Sequence, residues 1–134
     1  MTTKLIDAYM DVAIRFSQLS TAEKLKVGAI LVKDDRIISI GYNGTPRGWC
    51  NVCEDSNFRT KPEVIHAEMN CISKLAKSSE SGLNSVMFIT HSPCVACAKS
   101  IFGSGITEVY FKYDYRDDSG IHFLKKCGIN VLKI

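Results

Sequence analysis

The stretch "SVMFITHSPCVACAKSIFGSGITEVYFKY", residues 85–113, reads as a complete strand–helix–strand unit. "SVMFIT" (85–90) is a short apolar run, which fits a buried strand. Pro93 suits the first turn of a helix, where its missing N–H is not needed. A helix is therefore predicted over 93–103, ended by Gly103 or Gly105. "EVYFKY" (108–113) is the next strand, "GIHFLKKCG" a short helix and "INVLKI" the last strand. Strands alternating with helices in this way run parallel, with right-handed crossovers.

Upstream the period changes. Leu5, Ile6, Tyr9, Val12, Ala13, Phe16 and Leu19 recur at helical spacing over residues 4–19, which predicts an amphipathic helix. "VGAILV" (27–32) and "RIISIGY" (36–42) flank "KDD" and predict a β-hairpin. Residues 43–62 gather Asn43, Gly44, Pro46, Gly48, Asn51, Asp55, Asn57 and Pro62, a long loop of the kind that in a compact domain is functional or disordered. Pro62 then suits the start of a helix to about Lys77, with Ile65, Met69, Ile72, Leu75 and Ala76 inward. No repeat, linker or low-complexity tract interrupts the chain. Residues 1–134 are expected to form one domain, a three-layer α/β/α fold on a mixed five-stranded sheet.

Composition narrows the function. A chain of 134 residues needs no staples to build a core. A net charge of +3 suits small anionic ligands but lacks the concentrated basic stripe of a nucleic-acid binder, so no polynucleotide partner is expected. No apolar run approaches a membrane span, and "MTTKLIDAYMDVAIRF" carries too much charge for a secretory signal. Six cysteines without an export signal point to the reducing cytoplasm, where metal or catalytic roles outnumber disulfides.

Those cysteines include two Cys-x-x-Cys pairs, Cys50/Cys53 and Cys94/Cys97. Cys50, Cys53, His66 and Cys71 have the spacing of a small CCHC zinc finger, and "WCNVC" echoes a thioredoxin motif. Context argues against both. Phe58 and Glu63 misplace the finger's apolar residues, and the pair lies in a polar loop rather than at a strand–helix junction. Two plain loop thiols, or an auxiliary zinc site in the loop, are the remaining readings.

Cys94 and Cys97 follow Pro93 at a helix N-terminus, where free N–H groups and the macrodipole favour thiolates. They make half a tetrahedral zinc site. "HAE" (66–68) begins another helix, and His66 supplies a third ligand. Three protein ligands leave a fourth position open, as in catalytic zinc sites. Glu68, two residues on, can face a water there. Zinc with two thiolates and a neutral imidazole is formally neutral and acidifies water less than an all-histidine site, so a carboxylate base is needed beside it. The competing reading closes the site with His91 or Cys71. His66-Ala67-Glu68 followed by Pro93-Cys94-Val95-Ala96-Cys97 also matches the H-x-E…P-C-x-x-C pattern of zinc nucleobase deaminases.

Over nearly its whole length the chain resembles the deoxycytidylate deaminases of the cytidine-deaminase superfamily. "KVGAILVKDDRIISIGYNGTPRG" (26–48) is similar to that family's hairpin and "GYNGxPxG" loop, and "HAEMN", "SPCVACAK" and "GIxEVYFKYDY" to its later motifs. The resemblance implies a cytidine-deaminase-like fold that converts dCMP to dUMP and ammonia for thymidylate synthesis. It implies that His66, Cys94 and Cys97 bind Zn²⁺ and Glu68 shuttles protons. It also implies that the Ala67 N–H holds the base O2, the Ser92 backbone meets the leaving amine, Asn43 bonds the sugar hydroxyl and Tyr115 lies near the nucleotide. It further implies a hexamer in which dCTP activates and dTTP inhibits with Mg²⁺ through Gly41, Tyr42, Asn43 and Gly44, with Lys24 nearby. A turn residue for Asn43 and a rim aromatic for Tyr115 remain open. For the 5′-phosphate, Lys24, Lys26, Arg47, Arg59, Lys112 and Arg116 are candidates. A non-catalytic zinc or nucleotide binder, or a same-fold deaminase of another base or of tRNA adenosine, is the alternative.

Overall fold

The hairpin shows how directly local sequence sets this fold. In the computed structural model, which describes residues 1–134, β1 (Gly28–Lys33) and β2 (Arg36–Tyr42) pair antiparallel with Lys33 opposite Arg36. The two connecting residues, Asp34 and Asp35, have φ of 52° and 58°. A two-residue loop with both φ positive matches the twist of the strands it joins, and aspartate tolerates that conformation better than most residues. On its other side β1 pairs antiparallel with β3 (Val86–His91). Then β3, β4 (Glu108–Tyr113) and β5 (Asn130–Lys133) run parallel, in the overall order β2-β1-β3-β4-β5. This is the mixed five-stranded sheet that the sequence predicts.

Alternation along the strands sorts side chains into two cores. Ala29, Leu31, Met87, Ile89, Val109 and Phe111 face α2 (Ala67–Ala76), α3 (Val95–Gly103) and α4 (Ser119–Lys126), which contribute Ala67, Cys71, Leu75, Ala98, Ile101 and Leu124. Ile30, Val32, Phe88 and Tyr110 face the opposite side, where α1 (Thr3–Ser17) brings Met10 and Ala13. Fully buried Phe88 holds that thinner layer together, with Tyr9 at 5.3 Å and Tyr110 stacked at 5.0 Å between ring centres. Its truncation to alanine would cost about 3–5 kcal/mol. The layers are α/β/α, and no helix is long and apolar enough to cross a membrane.

Two helix starts differ from the sequence-based expectation. α2 begins at Ala67, not at Pro62. Ile65 is pinned in an extended bridge to Gly44, with Ile65 N donating to Gly44 O at 2.8 Å and Gly44 N to Ile65 O at 3.2 Å. Ile65 and Ala76 are therefore exposed, and the buried face of α2 is Ala67, Glu68, Cys71 and Leu75. α3 begins at Val95, so Cys94 is its extended N-cap residue rather than part of its first turn.

Two glycines set where these helices start. A Cβ on Gly41 of β2 would lie 2.5 Å from the Ala67 carbonyl oxygen and 2.6 Å from the Cys71 nitrogen. A Cβ on Gly120 would run into the Pro93 carbonyl oxygen and lie 2.9 Å from the Cys94 carbonyl carbon. Only glycine permits such approaches of backbone to backbone.

Candidate active site

The N-caps of α2 and α3 converge. His66 caps α2, Cys94 caps α3, and neither side chain bonds its own helix. Both are thus free to face each other, and Cys97 joins them from the first turn of α3. His66 Nδ1 lies 3.6 Å from Cys94 Sγ and 3.4 Å from Cys97 Sγ, with all three donor atoms within 4.8 Å of one another. Tetrahedral zinc, with Zn–N of about 2.0–2.1 Å and Zn–S of about 2.3 Å, requires N and S to be about 3.5 Å apart. The donor set and its spacing therefore fit Zn²⁺. Neither His91 nor Cys71 belongs to the cluster. Cys71 is buried in the core, and His91 Nδ1 is bonded to Thr90 Oγ1 at 2.9 Å.

The electrostatics follow from burial and sulfur chemistry. The Cys94 thiol is held down to about 4, because its sulfur is hydrogen-bonded by Cys97 and by His66. Cys97, 1% exposed, is pushed up by the same pairing with Cys94 and by burial. His66 is raised mainly by its bond to Cys94. Glu68, only 4% exposed, is pushed up to about 7 by burial, against the opposing pull of a backbone hydrogen bond and the His66 charge. A carboxyl balanced near neutrality can both take and return a proton.

His66, Glu68 and Cys94 line a cavity of about 350 Å³ at the C-terminal ends of β3 and β4, with Cys97 buried behind them. Ala67, Ser92, Asn43 and Tyr115 all line it. Ala67 is the first residue of α2, so its N–H has no acceptor within the helix. Ser92 is buried, its N donates to Tyr113 O at 3.0 Å and its Oγ accepts from Tyr115 N at 2.7 Å. No protein donor reaches its carbonyl. Asn43 is more committed than the sequence suggests: its Oδ1 accepts from Val27 N at 2.9 Å and its Nδ2 donates to Leu25 O at 2.8 Å.

Of the six candidate cations, the fold brings Lys24 and Arg116 to the cavity, with Arg116 lying over the Tyr115 ring at 5.8 Å. Lys26, Arg47, Arg59 and Lys112 do not line it. The "GYNG" stretch divides. Gly41 is buried against α2 and offers no free surface, Tyr42 O accepts from Asn70 Nδ2 at 3.1 Å, and Gly44 holds the bridge to Ile65. The loop cysteines stay apart from the cluster. Cys50 is exposed, while buried Cys53 has Thr21 Oγ1 3.5 Å from its sulfur. Sequence reasoning missed Glu54, a buried acid in the cavity wall. Its only signal is an acid beside Cys53 in an aperiodic loop, and no period reveals which way a loop side chain points.

A family model described as the cytidine and deoxycytidylate deaminase zinc-binding region matches residues 3–113. ComE operon protein 2 of Bacillus subtilis (strain 168) is 39% identical over 104 residues, which span 72% of this chain and 53% of that protein. The deoxycytidylate deaminase of Saccharomyces cerevisiae is 32% identical over 133 residues, 92% of this chain and 42% of that protein. The chain thus spans about half the length of these two relatives. The crystal structure of dCMP deaminase from the cyanophage S-TIM5 in complex with dCMP and dUMP superposes with a TM-score of 0.98 at 45% identity, covering 100% of this chain and 99% of that one. The chain belongs to the cytidine and deoxycytidylate deaminase family.

Proposed function

We propose that residues 1–134 act as a single deaminase domain that hydrolyses dCMP to dUMP and ammonia, with Zn²⁺ held by His66, Cys94 and Cys97. The observation that carries this reading is the company Glu68 keeps. A buried carboxyl lies beside a three-donor metal site, in a cavity that also contains Lys24 and Arg116. The likeness in sequence and shape to deaminases of dCMP supports the choice of substrate.

Zn²⁺ held by these three donors would supply an acidified water. The chain's own residues do the rest. Glu68 takes a proton from the water that adds to C4 and delivers it to ring N3. It then takes the proton of the new C4 hydroxyl and passes it to N4 as the C4–N4 bond breaks, so that ammonia leaves and a C4 carbonyl remains. The free N–H of Ala67 holds the base O2, and the Ser92 carbonyl accepts from the departing amine. Lys24 and Arg116 meet the 5′-phosphate, and Tyr115 beneath Arg116 keeps that guanidinium in place. Fixed donors and acceptors around the ring hold it at near-attack distance, which is a large part of the rate gain in such sites.

Hexamer formation, activation by dCTP and inhibition by dTTP with Mg²⁺ belong to the same proposal, as does action in the cytoplasm. Support for regulation is the "GYNG" motif at Gly41–Gly44, and support for the compartment is that all six cysteines are free. The test is ammonia release from dCMP beside deoxycytidine, CMP and an RNA hairpin, with and without dCTP or dTTP. Turnover confined to dCMP is expected. Equal turnover of deoxycytidine would remove the phosphate subsite, and turnover of the hairpin would replace the substrate.

A further inference from the structure

We propose that Glu54 accepts the 3′-hydroxyl proton of the nucleotide, and thereby confines the site to mononucleotides with a free 3′-hydroxyl. This rests on the reading of the cavity as a dCMP site. Glu54 is 8% exposed and lines the cavity that holds His66 and Glu68. It forms no ion pair; the three in the protein are Arg36–Glu80, His122–Asp118 and Lys133–Asp114. Its carboxylate is held instead by backbone. Oε2 accepts from Glu23 N and Lys24 N, each at 3.2 Å, and Oε1 accepts from Glu23 N at 3.3 Å. A carboxylate has about four lone-pair positions, so acceptor capacity remains.

The loop presents this group deliberately. Glu54 pairs with Thr60 in an isolated bridge, flanked by Asp55 N to Arg59 O and Lys61 N to Cys53 O, both 2.8 Å. Thr21 Oγ1 donates to Asn51 O at 2.6 Å and ties the loop to the segment that carries Lys24. The mechanism uses none of this.

Elimination then assigns the ligand atom. In dCMP the 3′-hydroxyl is the only hydroxyl on the sugar. Asn43 spends its Oδ1 on Val27 N, so it can offer that hydroxyl only a donor, from its second Nδ2 hydrogen. The hydroxyl proton needs an acceptor. Among carboxylates lining the cavity, Glu68 moves protons at the base, and Asp114 is exposed and paired with Lys133. Glu54 is the one left. A 3′-phosphate in place of the hydroxyl would set a second anion against this buried carboxylate, which excludes a continuing polynucleotide.

The experiment compares dCMP, 2′,3′-dideoxycytidine 5′-monophosphate and 2′-deoxycytidine 3′,5′-bisphosphate on the zinc-loaded wild type, Glu54→Gln and Thr21→Ala. In Glu54→Gln the amide oxygen must stay on the Glu23 and Lys24 N–H groups, which turns the NH₂ toward the cavity and removes the acceptor. Wild type should lose about 10- to 100-fold in kcat/KM when the 3′-hydroxyl is removed, the range for a hydrogen bond to a charged group. Glu54→Gln should lose a similar factor on dCMP, little more on the dideoxy substrate, and should gain turnover of the bisphosphate. Thr21→Ala loosens the same loop and should lower both mononucleotides by one common factor. If Glu54→Gln also lowers both by a common factor, Glu54 is only a loop clamp and the inference fails. Wild type that discriminates poorly against the dideoxy substrate overturns it as well. Wild type that does not turn over dCMP at all overturns the function itself, and the inference with it.

Discussion

The two Cys-x-x-Cys pairs have the same spacing and opposite fates. Cys94 and Cys97 stand at the start of a helix that is fixed between two parallel strands, with His66 brought to 3.4–3.6 Å of their sulfurs by a second helix. Cys50 and Cys53 stand in the loop between Tyr42 and Ala67, one exposed, the other buried beside Thr21. Spacing alone does not make a metal site. A rigid element must aim both sulfurs at one point, and another must deliver the third donor to it.

The largest expected effect breaks the helix pair. Cys97→Ala removes a buried donor, so bound zinc should fall from one per chain to near none and turnover should vanish, as read by metal analysis and ammonia release. Zinc retained at full stoichiometry would show that the cluster is not the metal site. Next, Glu68→Gln keeps the donors and removes only the proton carrier. Turnover should fall by about 10²- to 10⁴-fold with zinc unchanged, the usual range for a lost general acid–base group. Arg116→Ala tests the cavity's phosphate end. It should raise KM for dCMP by about tenfold, the scale of one charge-assisted hydrogen bond, and leave kcat nearly intact. The smallest effect sharpens the comparison from the loop side. Cys50→Ser is exposed and should change stability by no more than about 0.5 kcal/mol. Zinc stoichiometry should stay at one, and a drop from two to one would give the loop pair a metal after all.

How much of this is legible in the sequence differs along the same line. The β3-α3-β4 unit and the hairpin are set by local signals: apolar runs, Pro93, and two aspartates at the turn. The start of α2 is not. Pro62 is a fair helix opener, but the chain makes only a single turn at 62–63, and the bridge from Ile65 to Gly44 then holds it out of the helix until Ala67; no local feature announces a contact across that loop. The buried face of α2 also defeats periodicity, because function places polar Glu68 where an apolar residue would be expected. The zinc donors and Glu68 are readable because their chemistry demands particular residue types at fixed spacing. Lys24 and Arg116 are not distinguishable from four other cations until the chain folds, since a charge does not reveal which cavity it faces.

The contact at Gly41 has a mechanical meaning. At Gly41 this edge strand of the sheet meets α2 backbone to backbone, and Ser39 Oγ to Cys71 O at 2.7 Å and Asn70 Nδ2 to Tyr42 O at 3.1 Å tie the two elements on either side of that contact. A displacement of β2 toward α2 meets a hard stop at Gly41, where backbone already touches backbone. The edge of the sheet and the carboxyl of Glu68 are two ends of one stiff lever.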